Sequence, residues 1–222
     1  MSATPAAAGE PEPGAAPVMD APTDATDRAS SRPLAQLRDL ARVQVRAGYQ
    51  DDATIRAEVA EAAREDLPPG RDAATVAAVL VDHAVASLES EQSGWSERTD
   101  YDRLEDAFDD LGELGIVVLR AVEDHWQANE TLQGLAEAGR RPTGIVFFTN
   151  PDVWHAVDHQ MLELNVWHGD TANIAAGDRL LDQVLTTLSG HGLPAAFDEG
   201  RVEVALRWQR RRLPAGSAPA AQ

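Results

Sequence analysis

Five consecutive residues, Ile145-Val146-Phe147-Phe148-Thr149, are all β-branched or aromatic, and turn-forming residues bound them on either side. A strand with this composition has no polar face to offer water, so it belongs inside a sheet covered on both faces. Val146 and Phe148 are therefore expected in the core. Leu80, Leu104, Phe108, Ile116, Val118, Leu164, Leu181, Leu185 and Val204 are expected to join them.

The sequence before this strand is paced differently. Apolar residues at Leu34, Leu37, Leu40/Ala41 and Val45 follow the helical period up to Gly48. Asp51 or Asp52 can cap a second helix ending near Asp66, ahead of Leu67-Pro68-Pro69-Gly70. Asp72 caps a third, apolar on more than one face, which suggests a central helix with His83 held in the core. Thr99 and Asp102 form a capping pair for a helix from Asp100 to about Leu114, and Ile116–Leu119 is a short strand. Asn129 is expected to cap a helix through Ala138. After Thr149, Pro151 suits the first turn of a short helix with Trp154 and Val157 facing inward. Leu162, Leu164 and Val166 alternate with Glu163, Asn165 and Trp167, the period of a half-buried strand. A long helix from about Thr171 to Ser189 and a hairpin around Glu199-Gly200 complete the order.

The expected class is α+β, with N-terminal helices packed on a mixed sheet of about five strands with flanking helices. The helical segment covers about 34–92 and the α+β segment about 93–212, together one folded unit. Residues 1–32 and 213–222, rich in Ala and Pro, bury too little to offset their ordering entropy and are expected to be disordered.

Charge narrows the function classes. The chain of 222 residues has 37 acidic against 19 basic side chains, a net −18, and every basic residue is Arg. This balance opposes general nucleic-acid binding, which needs Lys and Arg against phosphate. With no Cys, disulfide scaffolds, Cys-ligated metal sites and thiol catalysis are excluded. The N-terminus has no signal-peptide pattern and no apolar run approaches the ~20 residues of a membrane span, so the expectation is a cytoplasmic protein away from membranes. Arg in place of Lys and abundant Ala suggest a GC-rich bacterial genome.

Several segments taken together are similar to an uncharacterised bacterial family known only as a domain of unknown function. Gly94-Trp95, Thr99-Asp100-Tyr101-Asp102-Arg103-Leu104 and Ala107-Phe108 resemble its first block. Gly144-Ile145-Val146-Phe147-Phe148, Asp152 and Ala156-Val157 resemble its second, and Arg201 to Arg211 its closing strands, so the likeness covers roughly Arg38 to Arg212. The resemblance implies a cysteine cluster after the strand at Ile116–Leu119, yet Val122–Asn129 holds none here. It also implies a His where this chain has Thr149. The resemblance thus implies a fold and no activity.

Three clusters stand out. On the helix after Thr99, Asp102, Asp106, Asp109 and Glu113 fall at i, i+4, i+7 and i+11, opposite the buried stripe, a face suited to a basic protein partner. His155 and His159 share a helical face near Asp152, a spacing compatible with Zn or Mn, with Asp158 or Asp170 assisting. Arg207 to Arg212 is a basic run for which structural use is expected. Nucleotide-binding and nucleophile-elbow templates are absent. The leading expectation is a non-enzymatic, acidic protein-binding protein of inhibitor or immunity type, with no cofactor. The alternative is a metal-dependent hydrolase-like enzyme using Asp152, His155 and His159.

Overall fold

The computed structural model describes residues 24–212, with side chains from Arg32 onward. The expected tails at 1–23 and 213–222 lie outside the described residues. The elements run α1 (Asp24–Ala47), α2 (Asp52–Asp66), α3 (Ala73–Gln92), α4 (Asp100–Glu113), β1 (Ile116–Val122), α5 (His125–Glu137), β2 (Gly144–Thr149), α6 (Asn150–His159), β3 (Met161–His168), α7 (Arg179–Gly190), β4 (Ala195–Asp198) and β5 (Arg201–Ala205). This is an α+β fold. The first helix begins within the stretch expected to lack structure, because the apolar period marks where burial starts and not where the helix does. Leu37 is its first buried apolar residue among those described.

The sheet order is β1-β2-β3-β5-β4. β1 and β2 pair in parallel, with Val118 opposite Val146. All other pairs are antiparallel, including Val146 with Val166 and Leu164 with Val202. Gly144 to Phe148 are all buried, as a strand without a polar face requires. Val146 and Phe148 meet α4, α6 and α7 on one face of the sheet, while Ile145 and Phe147 meet α5 and Trp167 on the other. The β4–β5 turn holds Glu199 and Gly200 at φ +44° and +95°, the left-handed pair a two-residue hairpin needs.

The N-terminal helices form their own core around Ala41, Ile55, Val59 and Val81. α3 packs against both α1 and α2 but is not surrounded: Val79 is 62% exposed and His83 is exposed, contrary to the core histidine expected. Counting apolar residues showed how many faces were greasy, not how many neighbours would cover them. By length and composition α3 also passes as a helix able to span a membrane, which the run-length reading missed because Asp82 and His83 interrupt it. Here it serves as the packing partner of α1 and α2.

Two further helix starts differ from expectation, and one helix turns a different face inward. α5 starts at His125, capped by Asp124, whose carboxylate accepts from the Trp126 and Gln127 amides at 2.8 and 3.2 Å, so Asn129 lies inside the helix. The long last helix begins only at Arg179. Thr171 and Gly177 both have positive φ, and Asp178 is the cap. In α6 Val153 and Ala156 are buried and Val157 packs partly against the core as expected, whereas Trp154 is 39% exposed. That helix follows β2 without a loop and its start is fixed by its cap, so the cap and not side-chain size sets which face turns inward.

Candidate functional site

The acidic line on α4 divides once its partners are known. Asp102 belongs to a capping box, accepting from the Thr99 amide at 2.8 Å. Asp106 forms an ion pair with Arg98. Asp109 and Glu113 are exposed and have no side-chain partner among the described residues. Asp110, next to Asp109 on the same helix, meets His191 Nε2 at 2.7 Å.

The histidine group is also dispersed. The His155 and His159 rings do share a face of α6, with centroids 4.6 Å apart. Asp152, however, is turned back to the start of its own helix, where it accepts from the Thr149 amide and hydroxyl, both at 2.7 Å. Asp158 accepts from Arg42 at 2.6 Å, and Asp170 caps the Ala172 amide at 3.2 Å. The carboxylate that comes nearest His155 is Glu163, 3.8 Å from Nδ1, and it also pairs with Arg201. No cluster of three such side chains able to hold a metal ion occurs among the described residues.

A different site emerges from the topology. Because β1 and β2 are parallel, their carboxyl ends open on the same side, and α5 and α6 both begin there. Crevices at such ends are where ligands bind in sheets with parallel strands. A hollow of about 680 Å³ occupies this place, lined chiefly by Tyr49, Glu123, Asp124, Trp126, Glu130 and Asn150. Trp126 is 61% exposed on its rim. β1 reaches the hollow through an irregular step between Leu119 and Val122, with Ala121 held at φ +50°. A non-glycine residue in that region is strained, and such strain collects at functional sites.

Behind the hollow lies an aromatic and charged layer. The Tyr49 and Tyr101 hydroxyls are 3.3 Å apart, and the Arg210 guanidinium lies 4.1 Å over the Tyr49 ring. Burial pushes both phenols above their ordinary range, so both stay neutral in ordinary buffers. Arg120 is held by Glu105 at 2.7 Å. The lining itself combines carboxylates, amides and aromatic faces and includes no cation, an environment for a guanidinium or ammonium group stacked on Trp126. The stretch from Glu123 to Gln127 forms one wall. Sequence reasoning did not select this site. Its one local signal was Asp124 ahead of an otherwise unexplained tryptophan.

Comparison with protein families matches residues 30–212 to a model described as "Domain of unknown function (DUF6891)". Neither the curated proteins nor the solved structures give a match.

Proposed function

The chain belongs to this family of unknown function, and we propose that it is a non-enzymatic binding protein that covers a basic protein partner, as an inhibitor or immunity protein does. The observation that carries this reading is the exposed Trp126 set among Glu123, Asp124 and Glu130 in a hollow without a lining cation. Exposed tryptophan in a pocket is the usual anchor of an interface, and surrounding carboxylates select a cationic side chain. The net charge of −18 adds long-range attraction that speeds encounter with a basic surface. Asp109 and Glu113 contribute to that field without being the anchor.

The test is recovery of partners on the tagged protein at low and high salt, in parallel with Trp126→Ala and Glu123→Gln/Glu130→Gln variants. A basic protein should be enriched, should decline as salt rises, and should be lost from Trp126→Ala. Recovery indifferent to both ionic strength and Trp126 overturns the proposal.

A further inference from the structure

The arginines of this acidic chain divide between those beside a carboxylate and those without one. Among the described residues, nine arginines, from Arg42 in α1 to Arg212 near the end, form ion pairs. Arg140, Arg141 and Arg179 are among those that form none within the described residues, and these three are gathered around one residue, Thr143. Arg140 and Arg141 line a hollow of about 370 Å³ with Thr143, Leu135 and Pro142. Arg179 lines a second, of about 400 Å³, with Thr143, His168, Gln183 and Leu114. Thr143 is the wall they share. It immediately precedes β2, so this place lies at the amino ends of the parallel pair, opposite the Trp126 hollow.

The one carboxylate in the lining is already engaged. Asp178 accepts from the Leu180 amide at 2.9 Å and meets His168 Nε2 at 2.6 Å. Those bonds hold it below the usual carboxylate range, the backbone amide first and the imidazole second. Leu114, 46% exposed, leaves an apolar surface beside the cations. Screening over about 8 Å at physiological salt leaves contact-distance cations, and not the distant −18, in control of what binds.

We infer that the paired hollows bind the phosphate group of a small organic phosphate monoester. Guanidinium forks match phosphate oxygens, and three of them suit a dianion better than a single carboxylate. Each hollow is larger than a phosphate alone, and Leu114 and Pro142 give the organic body an apolar seat. This site is independent of the acidic one.

Calorimetric titration of the full chain with inorganic phosphate and with phenyl phosphate tests it. Both should bind stoichiometrically, phenyl phosphate more tightly. Arg141→Gln and Arg179→Gln should each weaken both by about tenfold or more, while Leu114→Ala removes only the phenyl advantage. Arg207→Gln, at an arginine away from these hollows, and Trp126→Ala should leave binding unchanged. Absence of saturable binding up to about 10 mM, or equal weakening in Arg207→Gln, overturns the site. Equal affinity for the two probes overturns the organic body's seat.

Discussion

Gln44 shows how a single side chain can carry an unbalanced cost. It is 6% exposed in α1, its amide nitrogen donates to Glu58 at 2.5 Å, and its Oε1 is buried with no partner. An unsatisfied buried acceptor costs about 1–3 kcal/mol. Glu58 is exposed and keeps a second donor in Gln50 at 2.7 Å, so losing Gln44 does not strand it. Gln44→Met keeps the chain length and removes the orphan oxygen. We expect it to be as stable as the parent or more stable by up to about 1 kcal/mol in urea denaturation, and a clear loss would mean that a water satisfies the oxygen. The same scale accounts for the place of Asp152. Thr149-x-x-Asp152 repeats the pattern of Thr99-x-x-Asp102, and both are capping boxes. The same local signal thus stands in the sequence twice, the second time beside a histidine pair.

Several helices in this protein are started by carboxylates. Asp51, Asp72 and Asp178 cap α2, α3 and α7, and all three are held below the ordinary value of 3.8. The main causes are the Thr54 amide for Asp51, the Thr75 hydroxyl for Asp72 and the Leu180 amide for Asp178. A carboxylate with a depressed folded pKa contributes stability that is complete above its unfolded value and lost as pH falls through the folded one. Acidification below 3.8 should therefore loosen these helix starts. Serine caps a helix without titrating. The triple variant Asp51→Ser/Asp72→Ser/Asp178→Ser should show a flatter fall in denaturation midpoint below that pH than the parent, followed by circular dichroism. Parallel curves would remove the caps from the acid response.

At the scale of the whole molecule, the residues after β5 join the two halves. Trp208 is 5% exposed, packs edge-on against Tyr101 at 5.0 Å and donates to the Arg46 carbonyl at 3.2 Å. Arg210 donates to the Ala47 carbonyl at 3.3 Å, Arg211 to the Ser96 carbonyl at 2.5 Å, and Arg212 pairs with Asp52 at 2.5 Å. The basic run thus fastens the N-terminal helices to the sheet segment. Trp208→Ala should cost about 3–5 kcal/mol, as removal of a buried tryptophan does, whereas the exposed Trp126→Ala should shift stability by less than about 0.5 kcal/mol. Similar losses for the two, measured by chemical denaturation, would contradict this division between a structural and a recognition tryptophan.

Local chemistry by itself determined the class, the interior strand at Ile145–Thr149, the hairpin at Glu199-Gly200 and most helix starts. Each of these depends on residues adjacent in sequence: a side chain to its own backbone, or an apolar period to the face it creates. The likeness to an uncharacterised family was legible too, although the match begins at residue 30 and not near Arg38. What tertiary structure decided is everything that depends on a partner distant in sequence. Whether an acid is spare or spoken for rested on Arg98, Arg42 and His191, reached across loops and between elements. The hollows lie at the ends of the parallel strands, so Tyr49 lines one with Trp126 and Asn150, and Arg141 and Arg179 line two others that share a wall, only after β1 and β2 pair. A charge is visible in a sequence, but its compensation is a property of space.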